Sequence, residues 1–338
     1  MNMTLWLVRA GEVGEREDYA LDEGLAVIGW DELPDLSSIE SRDVLKELMR
    51  KVYPEASEGR IKNHAGQVWA FANRIMEEDH VVLPLKSRAQ IAVGVVKGSY
   101  QYDGSVSEGA KHRRQVRWLT KDLPRGQLDQ DVLYSLGAFM TVCQIKRNDA
   151  ERRILEAVKG KVTLPPKNDE DVDEDDAPSD IAQLAIDEVR KAVQRRFKGH
   201  AMEVLVAALL RAQGYTVHKN KKGPDGGLDL LAGSGPLGLD SPKLVVQVKS
   251  GEGPTGAKEV REFRAIVADY EADAGLFIAW GGYKDSIFDE RKKSFFQVRY
   301  WDSDDLLRAI FRYYEELPEE IKADLPLQRI WVLVPEES

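Results

Sequence analysis

The sequence predicts two domains of mixed secondary structure: an α+β domain followed by an α/β domain with a mixed sheet flanked by helices. Three observations predict it. The first is a central segment with little to bury. Residues 163–179 hold Pro165, Pro166 and Pro178 around the run Asp169-Glu170-Asp171-Val172-Asp173-Glu174-Asp175-Asp176. Such a stretch repels itself and extends, so it reads as a linker. The second is length, since 338 residues exceed one ordinary domain. The third is the order helix–strand–strand–helix–strand–strand–helix in the second half, which implies a mixed sheet. The domains are drawn at 1–160 (with a helical extension), an acidic linker at 161–180, and 181–338.

The elements of the first domain follow in order. Leu5-Trp6-Leu7-Val8 and residues 25–30 (Leu-Ala-Val-Ile-Gly-Trp) read as strands. Residues 41–53 read as a helix capped by Ser41, and residues 63–75 as another. Strands follow at 81–85, 90–96 and 113–119, with Tyr100 and Tyr102 between the last two. Strands with interspersed helices suggest a small barrel-like domain, and residues 129–159 read as mostly helical. No internal repeat is present.

In the second domain a helix runs from Ile181 to about Gly214, broken near Lys198-Gly199-His200 because glycine weakens helix. A glycine turn, Gly223-Pro224-Asp225-Gly226-Gly227, leads into an apolar strand holding Asp229. The strand Leu244-Val245-Val246-Gln247-Val248-Lys249 follows. Period-2 alternation puts Gln247 and Lys249 on one face and Val246 and Val248 on the other. A helix at 256–271, strands at 274–280 and 297–301, and a helix capped by Ser303 and running to Glu316 complete the set.

Composition bounds what the chain can do. With 43% apolar and 31% charged residues it is an ordinary soluble globular protein. One cysteine, Cys143, excludes an internal disulfide framework and a cysteine zinc site, and its apolar surroundings suggest a buried, inert thiol. No signal peptide or membrane span is read, so a cytoplasmic location and no membrane partner are expected. The net charge of −10 argues only weakly against nucleic acid, because seven of the acids sit in the linker run. Basic clusters occur at His112-Arg113-Arg114, Arg195-Arg196-Phe197-Lys198 and Arg291-Lys292-Lys293.

An acid, an amide and an ammonium at one end of neighbouring strands are an inventory for holding a divalent metal and a phosphodiester. Magnesium takes oxygen ligands, few of them protein carboxylates, and keeps several waters. Asp229 is the anchoring ligand, Gln247 offers a neutral carbonyl, and the Val248 backbone carbonyl adds another. Lys249 is placed to orient the attacking water or stabilise charge on phosphorus. Gln247 leaves the set one negative charge short, and Glu203 is the candidate to supply it. At about 100° per residue Glu203 lies within ~20–40° of Ala207 and Leu210, bordering the apolar face of its helix. His200 reads as a helix-cap or surface residue. Lys258 and Arg261 read equally as phosphate contacts or as a solvated helix face.

These residues carry a resemblance. The run from Phe197-Lys198-Gly199-His200-Ala201-Met202-Glu203 through Leu209-Leu210 and Gly214-Tyr215 is its first part. Asp225-Gly226-Gly227-Leu228-Asp229-Leu230 and Val246-Gln247-Val248-Lys249 complete it. Together they resemble the Mrr-type restriction endonuclease catalytic domain, a branch of the PD-(D/E)xK nuclease superfamily. The resemblance spans roughly 181–310. It implies a restriction-endonuclease-like fold, magnesium (or manganese) as cofactor and double-stranded DNA as substrate. Catalysis is thereby placed on Glu203, Asp229, Gln247 and Lys249, with Val248 among the metal ligands. Pro224-Asp225 spells the superfamily's literal PD. Asp225 sits in turn chemistry, however, and Asp229 aligns with the family's ligand.

The first domain is similar, over roughly 1–120, to the EVE/PUA superfamily. The residues that carry this are 5–11, 24–30, 66–71 (Gly-Gln-Val-Trp-Ala-Phe) and 79–84 (Asp-His-Val-Val-Leu-Pro). Those folds hold a flipped or modified base in an aromatic pocket, which implies Trp30 and Trp69 as walls with Trp6 and Tyr100 behind them. A short-strand tryptophan is also ordinary core. A reader joined to a cutter implies a modification-dependent, type IV-like restriction endonuclease, working as a homodimer. The alternative is a catalytically silent protein with a nuclease fold, or one directed at RNA or branched DNA.

Overall fold

The computed structural model describes residues 3–106, 109–138, 140–161, 180–220 and 228–332. The body of the acidic linker and the glycine turn with Asp225 lie outside them. The chain divides into two compact units, Met1–Ala185 with Trp331–Ser338, and Ile186–Ile330.

The first unit is built from β1 (Leu5–Val8), α1 (Glu17–Asp22), β2 (Leu25–Ile28), α2 (Arg42–Val52), α3 (Glu58–Trp69), β3 (His80–Pro84), β4 (Gln90–Val96), β5 (Gln101–Tyr102), β6 (His112–Pro124), α4 (Gln130–Ser135), β7 (Val142–Ile145) and α5 (Ala150–Val158). Seven strands form one sheet in the order β2-β6-β4-β3-β1-β7, with β5 also on β6. The long β6 pairs with β2 through His112 to Gln115 and with β4 from Val116 onward, so one strand serves two parts of the sheet. β4 is buried along its whole length. The helices α2 and α3 cover one core with Trp6, Ile28 and Phe71, while α4 and α5 cover another with Leu7, Val82 and Ile91.

Several elements differ from the sequence reading. β2 and β7 end the sheet without bonding to each other among the described residues, so it is a half-barrel rather than the expected barrel. The segment read as mostly helical contains β7, because the free edge of β1 recruits it, Leu5 opposite Ile145 and Val8 opposite Val142. Cys143 lies on that strand, half-buried rather than sealed. Helix α3 starts five residues early and gives way after Trp69 to a π-helical turn, Ala70–Arg74. Ser41 caps α2 as expected, accepting the Val44 N–H at 3.3 Å.

The second unit holds α6 (Ile181–Arg196, which begins in the first), α7 (His200–Ala212), β8 (Thr216–Lys219), β9 (Leu230–Ser234), β10 (Asp240–Lys249), α8 (Ala257–Asp269), β11 (Ala274–Ala279), α9 (Phe288–Lys293), β12 (Val298–Trp301), α10 (Ser303–Arg312) and α11 (Glu319–Asp324). The sheet order is β12-β11-β10-β9-β8. β10, β11 and β12 run parallel, while β9 is antiparallel to β10 and β8 to β9. This is the expected mixed sheet flanked by helices. α6, α7 and α10 bury their apolar faces with Val246, and α8 buries Val260 and Phe263 with Val245 on the other side. The expected helix break occurs at Gly199, whose φ of +57° suits glycine. The cap of α10 is Asp302 rather than Ser303. Its carboxylate accepts the N–H groups of Asp304 and Asp305, and Asp305 reciprocates in a capping box. Among the described residues no helix is long and apolar enough to cross a membrane.

Helices α6 and α10 are tied by a buried ion triad. Arg190, 2% exposed, donates to Asp187, 1% exposed, and to Asp304. Removing the cation takes the shared guanidinium away from two carboxylates, Asp187 in the core and Asp304 beside it. Arg190→Met is expected to cost about 3–5 kcal/mol of stability in urea unfolding. A loss below about 1 kcal/mol would show that the triad carries no net weight.

Candidate active site

The far end of the five-stranded sheet gathers polar side chains from three elements and the loop before β9. β10 supplies Gln247 and Lys249 on the face of Val245, while Val246 and Val248 turn toward α7, as the alternation predicts. Asp229 sits one residue before β9 rather than on it. Its N–H donates to Val246 O at 3.1 Å and its Oδ2 accepts the Val248 N–H at 2.7 Å. The carboxylate thus takes a donor that a longer β9 would have taken with its backbone.

Glu203 stands in the first turn of α7, its side chain 17% exposed. It lies close enough to Asp229 for the two charges to repel. Asp229 is pushed above the ordinary carboxylate range, first by burial and then by Glu203, while the Val248 N–H, Lys249 and His200 pull the other way. Gln247 is 6% exposed, and its amide has no hydrogen bond among the described residues.

These groups fit a hard divalent cation. Two carboxylates that repel each other are relieved by one positive charge with oxygen affinity, and Gln247 adds a neutral amide oxygen to the set. No cluster of three or more His, Cys, Asp or Glu side chains is arranged as a metal site among the described residues. The Gln247 and Val248 carbonyl oxygens would therefore have to complete the set.

Residues that sequence reasoning undervalued complete the surroundings. His200 opens α7, with Nδ1 2.6 Å from Glu203 Oε2 and Nε2 2.6 Å from Lys219 Nζ. Lys219 ends β8, a short half-exposed strand with no apolar run to announce it. Lys258 pairs with Glu262 at 3.9 Å and Arg261 with Glu290 at 3.6 Å, the pattern of a solvated helix face.

In the first unit the four aromatic candidates separate. Trp6 is 3% exposed, with its indole N–H donating to Asp79 Oδ2 at 2.9 Å, and so is core. Trp30, Trp69 and Tyr100 are half-buried against the same apolar cluster, but no ring contact joins any two of the four among the described residues. Trp30 adopts a left-handed φ of +63°, a conformation costing on the order of 1–3 kcal/mol for a bulky residue. Three bonds hold it there: its carbonyl accepts Leu33 N–H at 2.9 Å and His112 Nε2 at 3.2 Å, and its indole donates to His64 Nδ1 at 3.1 Å. Tyr100 donates to His112 Nδ1 at 2.7 Å. His64 and His112 lie 34 and 82 residues from Trp30 in the chain, a separation that carries no local signal.

If the two carboxylates are as close as the electrostatics require, Glu203→Gln lowers the Asp229 pKa by removing a like charge. Carboxyl carbon NMR titration reads this directly, and an unmoved Asp229 would show that the groups are uncoupled.

Comparison with known proteins agrees with the second unit. Residues 194–310 match the Mrr catalytic family, described as restriction endonuclease. Residues 6–141 match a family described as a domain of unknown function, DUF8426. No characterised protein sequence matches the chain. Among solved structures, the "DNA modification-dependent restriction endonuclease AspBHI" matches at 13% identity and a TM-score of 0.34, over 90% of this chain and 79% of that one. "MspJI Restriction Endonuclease in Complex with 27-mer Oligonucleotide" matches at 12% identity and a TM-score of 0.33, over 96% and 80%. The C-terminal part of the chain thus carries a restriction endonuclease domain, of a family that acts on DNA and generally uses divalent metal ions.

Proposed function

We propose that the chain is a modification-dependent, type IV-like restriction endonuclease that hydrolyses DNA phosphodiesters near a modified base. The observation that carries this reading is the electrostatic coupling of Asp229 to Glu203, Lys249 and His200 inside the restriction endonuclease domain, with Gln247 two residues before Lys249 on the same strand. Asp229, Glu203, Gln247 Oε1 and the Val248 carbonyl would hold magnesium, with manganese as a substitute. The metal supplies Lewis-acid stabilisation of the phosphate and a lowered pKa for a bound water. Lys249 orients the attacking water and faces the negative charge that builds on the phosphate oxygens. The new P–O bond forms as the bond to the leaving ester oxygen breaks.

The first unit, read as an EVE/PUA-like domain, is the reader. Its candidate platform is Trp30, with Trp69 and Tyr100 on the same core. The left-handed Trp30 supports this reading, because backbone strain held by several bonds is a feature of ligand-gripping positions. Trp6 serves only as support beneath. Cleavage of both strands by a domain with one site calls for two copies, so the active species is a homodimer, working in the cytoplasm.

The test compares modified and unmodified duplexes with magnesium at fixed salt, because affinity depends on salt. Preferential cutting of the modified duplex is expected, and equal cutting would remove the reader. Asp229→Ala and Lys249→Ala are each expected to lower cleavage by about 10²–10³-fold or more while DNA binding persists. Cleavage that survives both substitutions would remove the active site. Trp30→Ala is expected to weaken binding of modified DNA by ~1–3 kcal/mol, the value of one stacked base. Unchanged affinity would move the platform elsewhere.

A further inference from the structure

We infer that His200 and Lys219 form a positioning relay that aims the Glu203 carboxylate into the active site. The inference rests on Glu203 acting as a metal ligand, as proposed above, but its residues are independent ones.

The hydrogen-bond inventory fixes the relay's direction. A lysine ammonium can only donate. Lys219 Nζ lies 2.6 Å from His200 Nε2, so Nε2 accepts and the ring proton resides on Nδ1. Nδ1, 2.6 Å from Glu203 Oε2, then donates to the carboxylate. Both ring nitrogens are committed, and Glu203 Oε1 is left to the site. A carboxylate on a flexible glutamate loses rotamer freedom when it binds a metal. An oriented donor on one oxygen removes part of that cost beforehand.

The frame around the relay is anchored on two strands. Gly199 N–H donates to Ser250 Oγ at 3.0 Å, which holds the start of α7 beside the residue after Lys249. Lys219 stands in register with Leu230, and the next residue, Asn220, donates its N–H to Asp229 O at 3.0 Å. The end of β8 and the residue after it therefore reach both acidic residues, Asp229 at its backbone carbonyl and Glu203 through Lys219 and His200.

A purely structural role fits poorly. The His200 side chain is 50% exposed, so it fills no core. It is not the helix cap either, since Gly199 holds that position and makes no side-chain cap bond. An isolated surface pair three residues apart on a helix adds little to stability.

The test uses the full-length protein with His200→Ala, His200→Asn, Lys219→Met and Glu203→Gln. Manganese binding is measured by calorimetry without DNA, with kcat and KM measured on a cleaved duplex. His200→Ala is expected to weaken manganese binding by about 10–100-fold and to lower kcat, with KM for DNA and the thermal midpoint unchanged. His200→Asn places an amide N–H near the former Nδ1 and recovers most of the loss. Lys219→Met weakens binding less than His200→Ala and adds nothing in the double variant. If Glu203→Gln loses metal affinity while His200→Ala and His200→Asn both stay within about twofold of the parent, the relay is overturned. If Glu203→Gln itself leaves metal affinity unchanged, the metal-site reading fails and the relay falls with it.

Discussion

The second unit depends on one hydrogen bond, the acceptance of the Val248 N–H by the Asp229 side chain at 2.7 Å. A buried strand must place each N–H somewhere. At this point β10 gives its N–H to a carboxylate instead of a neighbouring backbone. The ladder between β9 and β10 ends there, and an acid is fixed within one residue of Gln247 and Lys249. It is half-buried, and its pKa is raised by burial and by Glu203, against the Val248 N–H, Lys249 and His200, which favour the anion. The fold thus spends backbone pairing to hold a charge arrangement that is unfavourable alone and favourable around a metal.

The first unit is organised by two inward residues of one strand. Arg114, 3% exposed, forms no ion pair among the described residues and donates to three carbonyls: Phe71 at 2.7 Å, Ala72 at 2.9 Å and Gly98 at 3.1 Å. Burial lowers its pKa to about 10. Its two bonds to Phe71 and Ala72 satisfy carbonyls of the π-helical turn that follows Trp69, which accounts for a stable turn where helix geometry fails. Two residues earlier, His112 faces the same interior and holds both Trp30 and Tyr100. β6 therefore sets the backbone behind every half-buried aromatic candidate.

Much of this was legible in the sequence, and the reasons are local. The strand Leu244–Lys249 shows itself because alternation and an apolar run coincide, and Gly199 marks the helix break because only backbone freedom is needed to see it. β8 was missed because an edge strand reading Thr-Val-His-Lys has no periodicity to detect. β7 was read as helix because its strand character comes from β1's open edge, a contact more than 130 residues away. Ser303 reads as the cap in the sequence while Asp302 takes that place in the structure, because both are good cap residues one position apart and only the backbone decides. Asp229 and Glu203 are candidates that spacing alone offers, whereas His64, His112 and Lys219 give no such signal, because they act through contacts that sequence separation hides.

The two units share a device in which a histidine with both ring nitrogens engaged orients the side chain next to it. His112 lies between the Tyr100 hydroxyl and the Trp30 carbonyl, and His200 between the Lys219 ammonium and the Glu203 carboxylate. A neutral imidazole suits this work because it carries one donor and one acceptor on opposite edges of a rigid ring. Fixing either partner fixes the tautomer and so the direction of the other bond. The environments differ in a way that matches the tasks. His112 is fully buried, and burial lowers its pKa, which favours the neutral ring that holds its aromatic neighbours. His200 is half exposed beside two acids and an ammonium, where its geometry depends on the charges around it. In the proposed function a static scaffold suits a recognition surface, whereas a site exchanging metal, water and DNA would work with an orienting group that solvent can reach.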